Sequence, residues 1–232
     1  MTETSGEAAA RDELAGRTRI VLRPLAGPLG LGFFGLAAAT FVLAGLQLGW
    51  TAPSEGKQVA LCVLAFTVPL QFTASIFGFL ARDGVAATGM GLLSGIWAAT
   101  GLVLLTAQPG ATSNALGLFL LVAGVAIWAP ASAAAAGKLV PSLVLATAGI
   151  RFLLTGVYEI SGAGTWKHLA GIVGLILTAF ALYAGYAAAY EDVLKRTVLP
   201  LGRRGKGQEA LEGTYAQQVA GLAHDPGVRQ QL

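Results

Sequence analysis

The chain has 232 residues, of which 55% are hydrophobic and only 12% charged, with a net charge of +3. An ordinary soluble domain carries about 25% charged residues, and 32 glycines with a mean hydropathy of +0.67 point the same way, since Gly is commoner in membrane helices than in soluble ones. This composition excludes a soluble globular domain and predicts an all-α, polytopic membrane protein. The basic residues lie beside apolar runs, where membrane topology accounts for them without nucleic acid.

Residues 1–27 are polar and Ala/Gly-rich and are expected to form a disordered arm bearing Arg11, Arg17, Arg19 and Arg23. The first apolar run is too long for a signal peptide and has no cleavage site after it. It opens at Pro28-Leu29-Gly30-Leu31-Gly32-Phe33-Phe34-Gly35. Pro28 suits a first helical turn, where its missing N–H costs nothing. Gly30, Gly32 and Gly35 keep that turn slim, and the free N–H groups of the helix start, with Arg23 just outside, favour an anion. This stretch is read as the cytoplasmic mouth of a small anion pathway.

Six spans follow, predicted at Pro28–Trp50, Gln58–Leu80, Gly84–Thr106, Asn114–Ala134, Leu139–Ile160 and Trp166–Tyr190. They make a transmembrane domain over residues 28–200, and a polar cytoplasmic tail occupies 201–232. Span two carries Pro69 and Gln71. The proline frees a backbone carbonyl, and Gln71 either satisfies it, faces a polar path or bonds another helix. Span three is rich in small residues, the mark of close helix packing, and Pro130 interrupts span four. Of the fifteen Lys and Arg, twelve fall on the side of the termini, two (Lys57 and Lys167) on the other, and Arg151 lies within span five. That asymmetry predicts cytoplasmic termini in a plasma (inner) membrane. No internal repeat is evident.

Arg151 is the sharpest single feature. An ionised side chain at mid-span costs about 2.5–3.5 kcal/mol on insertion scales, so it faces the bundle interior, a partner or a watery path. It reads as an anion-attracting charge. The structural alternative is a buried pair with Glu159, roughly 12 Å further along the helix axis, or contact with carbonyls at a helix break. Tyr183, Tyr186 and Tyr190 share one face of span six, which packing explains.

No catalytic set emerges: there is no Ser/His/Asp constellation, no intramembrane carboxylate pair and no phosphate-cradling GxxxxGK[ST] loop. The chain is not expected to be an enzyme. The single cysteine, Cys62, makes no intrachain disulfide, and His168 and His224 are too far apart in sequence for a paired haem or zinc site. No metal or cofactor is expected.

Pro28-Leu29-Gly30-Leu31 at the start and Arg196-Thr197-Val198-Leu199-Pro200-Leu201-Gly202 at the end, around six short spans, resemble the acetate uptake transporter family. The likeness covers about residues 24–204 and is best at Ile160-Ser161-Gly162, His168-Leu169-Ala170-Gly171-Ile172-Val173-Gly174 and Ala181-Leu182-Tyr183. It implies six helices around a narrow path in each protomer, a homohexamer, and transport of acetate and related short carboxylates by a channel-like or proton-coupled route. The family's opening signature, Asn-Pro-Ala-Pro-Leu-Gly-Leu, is met here by Leu25-Ala26-Gly27-Pro28-Leu29-Gly30-Leu31, without the asparagine and first proline.

The family's path narrows at a Phe, a Tyr and a Leu. By the resemblance the Phe falls on Phe34, the Tyr on Gly95 or Ile96, and the Leu near Ala148; a small residue that helps set substrate size corresponds to Ala181. The constriction is therefore either wider here or rebuilt by Trp97, Leu145 and Arg151. A narrow apolar gate passes a carboxylate only if polar donors flank it. Gly30 and Leu31 at the helix start are expected on one side, and Arg151 or Gln71 on the other. The competing expectation is a non-transporting structural or stress-response membrane protein whose Arg151 is a fold-specifying charge.

Overall fold

The computed structural model describes residues 25–194, 196–205 and 207–208. The expected N-terminal arm, including Arg23, thus lies outside the described residues except for Leu25, Ala26 and Gly27, and so does the tail beyond residue 208. Six helices are long and apolar enough to cross a membrane: α1 (Leu29–Leu48), α2 (Pro53–Leu80), α3 (Gly84–Thr106), α4 (Asn114–Ala135), α5 (Leu139–Ser161) and α6 (Gly164–Leu194).

Helix starts and stops follow local chemistry. Asp83 caps α3 by accepting the Ala86 N–H at 2.9 Å, and Ser113 caps α4 by accepting the Leu116 N–H at 3.3 Å. α1 and α5 end at Gly49 (φ 79°) and Gly162 (φ 67°), both left-handed, where glycine carries no Cβ penalty.

The helices depart from the sequence reading most clearly in three places. α2 begins at Pro53 rather than Gln58, because a 3₁₀ turn over Pro53–Glu55 leads directly into the helix. Proline tolerates that first turn. α6 runs on to Leu194, beyond Tyr190. In α4 the interruption falls at Ile127, between Asn114–Ala126 and Trp128–Ala135, rather than at Pro130 itself. A proline disturbs the turn before it, where its ring meets the carbonyl four residues back. Pro69 acts likewise in α2: the turn ahead of it, Val63–Thr67, widens into a π-helical segment.

α1 is the central helix. About two-thirds of its apolar stretch is buried, against 39–50% for the other five spans. It packs most extensively on α6 and also on α2. Small residues let the helices close in. Gly117 and Gly124 of α4 lie against Gly156 and Gly149 of α5, so near that a Cβ on Gly156 would sit 2.9 Å from the Gly117 carbonyl oxygen. Large apolar side chains such as Phe41, Phe72, Phe79, Leu118 and Val122 point outward, as a bilayer-facing surface requires.

After α6 the chain folds back over the start of α5. The Gly202 and Leu201 carbonyls accept the Leu139 and Val140 N–H groups at 3.0 and 3.1 Å, satisfying donors that a helix start leaves orphaned. Arg203 forks onto Glu191, with its Nε 3.0 Å from Oε2 and its Nη2 on Oε1, and Tyr183 donates to the Pro200 carbonyl at 2.9 Å. The terminal Pro-Leu-Gly-Arg stretch is thereby a strap holding the ends of α5 and α6 together.

Candidate functional site

Each end of the bundle carries a recess. The end remote from the termini holds a cavity of about 90 Å³ between the α1–α2, α3–α4 and α5–α6 connections, bordered by Lys57, Glu159 and Lys167, with Gln47, Thr100 and Thr155 also in its lining. The other end holds a cavity of about 130 Å³ among Leu29, Asp83, Val85, Lys138 and Pro141. Helix direction orders what lies between. From the first recess inward, α5 presents Thr155, Arg151 and Ala148, α3 presents Thr100, Trp97 and Leu93, α1 presents Gln47, Thr40 and Phe33, and α6 presents Gly174, Thr178 and Ala181. All are buried.

Arg151 is fully buried immediately inside the first recess. Its Nη2 donates to Gln47 Oε1 at 3.3 Å, and Gln47 Nε2 donates to Thr155 Oγ1 at 3.3 Å. Gln47 and Thr155 line the recess, so the guanidinium lies one hydrogen bond below its floor. The cation also sits over the Trp97 ring, 5.4 Å from its centroid. Gly174 provides the clearance: a Cβ there would lie 2.7 Å from Arg151 Nε. Among the described residues no acid pairs with Arg151, and its Nε, the Trp97 Nε1 and the Thr100 Oγ1 are buried without partners.

Glu159, the sequence candidate for pairing with Arg151, instead accepts the Ser113 N–H at 2.8 Å at the start of α4. The two turns of helix between the residues keep them apart. Beside the arginine, Trp97 and Phe152 meet edge to face at 5.7 Å, and a buried apolar cluster of Phe33, Leu93, Ile96, Leu145, Ala148 and Ala181 extends toward the second recess. Thr40 and Thr178 share a hydrogen bond at 2.9 Å in this interior. The arrangement is a buried cation between a recess and a packed aromatic pair.

Of the residues singled out from sequence, Ile96, Ala148 and Ala181 belong to that apolar cluster and Arg151 sits above it, with Trp97 and Leu145 beside them. Gln71 is fully buried against α1, donating to the Gly32 carbonyl at 3.4 Å with its Oε1 unpartnered. Gly30 packs against the α6 backbone at Gly185 and Ala189. Leu31 is exposed. Phe34 is half-buried, its ring 5.3 Å from Tyr186 at an edge-to-face angle, while its neighbour Phe33 lies in the cluster. At the start of α1 a carboxylate of the chain itself is close by: Asp192 accepts the Gly27 N–H at 3.3 Å.

Sequence reasoning missed Gln47, Thr100, Thr155 and Gly174. The available signal was a polar residue within an apolar run. Gln47 is close to the end of α1 and to Trp50, where polarity at the interface is ordinary, and threonine is common inside membrane helices because it bonds its own backbone.

No family model matches the chain. The succinate-acetate/proton symporter SatP of Escherichia coli K12 is 27% identical over 182 residues, covering 77% of this chain and 96% of the symporter. The protein of the same name from Shigella flexneri matches to the same extent. Among solved structures, that of the bacterial acetate channel SatP superposes with a TM-score of 0.68 at 25% identity, covering 77% of this chain and 99% of the channel chain. These similarities span nearly the full length of the relatives, and the chain resembles the SatP proteins in both sequence and fold.

Proposed function

We propose that this chain is a multi-pass membrane transporter or channel for acetate and related short carboxylates, with Arg151 as its anion site. The observation that carries the site is a fully buried guanidinium with no acidic partner among the described residues, one hydrogen bond below an open recess. A buried charge is retained only where something compensates it. A carboxylate arriving from the recess does so, and its short apolar tail suits the Trp97–Phe152 pair. A non-transporting structural role is not favoured, because it gives the recess above Arg151 no use.

The excess of Lys and Arg on the side of the termini supports cytoplasmic termini and a cell-membrane location. The recess beside Gln47 then faces outward, and the one beside Lys138 faces the cytoplasm. Assembly as a homohexamer and coupling to protons are part of the same reading, on the strength of the resemblance. Ile96, Ala148 and Ala181 line the narrow segment. Gln71 supports α1 from behind, and Gly30, Leu31 and Phe34 belong to the α1–α6 side of each protomer.

The test is uptake of radiolabelled acetate into liposomes carrying the purified protein, against protein-free liposomes. Saturable uptake, competed by short carboxylates and lost in Arg151→Gln protein that still assembles, is the expected result. Absence of uptake by inserted wild-type protein at any imposed pH gradient overturns it. The effect of that gradient separates a channel from a proton symporter.

A further inference from the structure

The edge of the Arg151 guanidinium formed by Nε and Nη2 is a two-pronged donor. On one prong, Nη2 donates to the Gln47 amide oxygen at 3.3 Å. The other prong, Nε, is buried and empty. Such an edge matches the two oxygens of one carboxylate, which it binds in a bidentate, charge-assisted pair. A neutral amide oxygen fills half of it and compensates none of its charge.

We infer that Gln47 is the selectivity gate of the anion pathway: its amide oxygen stands in for the substrate carboxylate on Arg151, and passage exchanges one for the other. The inference rests on the reading of Arg151 as the anion site. Gln47 is placed for the exchange. It lines the recess from which the anion arrives, and its Nε2 stays anchored on Thr155 Oγ1 while Oε1 is released. Gly174 keeps the guanidinium edge free of any side chain from α6.

The exchange discriminates by charge. A hydrogen bond between ionised partners is roughly twice as strong as a neutral one, so a carboxylate displaces the amide oxygen and a neutral isostere does not. The substrate class is therefore the ionised, short monocarboxylate, and acetamide is excluded although its shape is almost the same. The stand-in also serves release. When the anion moves on, Gln47 returns to Nη2, so the guanidinium is never left bare, and the anion is not held as tightly as an unopposed buried cation would hold it.

The experiment compares wild type, Gln47→Glu, Gln47→Leu and Arg151→Gln in liposomes, reading acetate uptake, competition by acetamide and the shift in melting temperature that acetate causes in the detergent-solubilised protein. Gln47→Glu places a permanent carboxylate on Arg151. Acetate uptake is expected to fall at least tenfold and the acetate-induced shift to vanish, with no loss of melting temperature in the absence of acetate. Gln47→Leu removes the stand-in, and KM for acetate is expected to fall severalfold together with the maximal rate. Acetamide is expected not to compete with acetate in the wild type. Wild-type uptake in Gln47→Glu, an unchanged KM in Gln47→Leu, or competition by acetamide each overturns the gate while leaving the transporter reading intact. If Gln47→Glu does not assemble, the KM of Gln47→Leu decides. Failure of the wild type to take up acetate, or full uptake by Arg151→Gln, overturns the underlying reading instead.

Discussion

Glu159 near the end of α5 accepts the backbone N–H of Ser113 at 2.8 Å, tying the start of α4 to the recess that Glu159 also lines. The carboxylate has two separable effects. Its oxygen caps a helix start, and its charge borders the recess from which, on the proposed reading, the anion arrives. Glu159→Gln keeps an acceptor and removes the charge, so assembly is retained and KM for acetate falls at low ionic strength, less so at high salt. Glu159→Ala removes both and costs about 0.5–1.5 kcal/mol, the range for the loss of a part-buried hydrogen bond. Melting temperature and KM measured on the two variants together check the separation.

Gly174 is the second point of test. A Cβ there would lie 2.7 Å from Arg151 Nε and 3.1 Å from Ala44 Cβ. Gly174→Ala is expected to destabilise by about 1–3 kcal/mol through overpacking and to reduce acetate uptake by displacing the guanidinium. In an Arg151→Gln background the shorter side chain relieves the contact, so the stability cost of Gly174→Ala shrinks. A double-mutant cycle on melting temperature reads this coupling; strictly additive effects would show that the guanidinium does not press on Gly174.

The strap after α6 depends on Gly202, whose φ of 64° is left-handed and whose Cβ, if present, would lie 2.7 Å from Leu139 Cβ. Gly202→Ala is expected to cost at least about 1–2 kcal/mol from the backbone alone. It should release the chain beyond α6, detected as faster proteolysis after residue 200. Glu191→Gln weakens the fork to Arg203 and is expected to act in the same direction with a smaller effect.

Lys138, just before α5, is held below the usual lysine range because burial penalises its charge, with Asp83 and then Glu191 pulling the other way and Arg203 adding to the depression. Its folded pKa is lower than its unfolded one, so between the two values the unfolded chain binds more protons. The contribution of Lys138 to stability therefore rises with pH through that window. Lys138→Met is expected to flatten the alkaline limb of a melting-temperature profile, and an unchanged limb would show that Lys138 does not carry it.

Much of this fold was legible because membrane spans announce themselves by length. Uninterrupted apolar runs of about 20 residues leave little choice of element, and Pro69 and Pro130 marked the two helices that deform. Which face of each helix turns inward was less legible. Phe33 and Phe34 are adjacent in sequence and point about 100° apart on a helix; tertiary packing, not the local pattern, buries Phe33 and leaves Phe34 half-exposed. Arg151 was visible because a charge at mid-span is costly wherever it points. Its partner was not, because Gln47 lies 104 positions away along the chain and only the close packing of α1, α5 and α6 brings the two together.

The glycine seam between α4 and α5 has a mechanical meaning. With Gly117 and Gly124 set backbone to backbone against Gly156 and Gly149, the pair behaves as one plank rather than two rods, since any slip drives carbonyls into each other. The inner edge of that plank carries Arg151, and its outer edge carries Leu118, Val122 and Val125, all exposed. On the proposed reading of Arg151 as the anion site, a displacement of its guanidinium would also displace a surface that faces lipid tails. Any work done in moving that charge would then be shared with the lateral pressure of the bilayer.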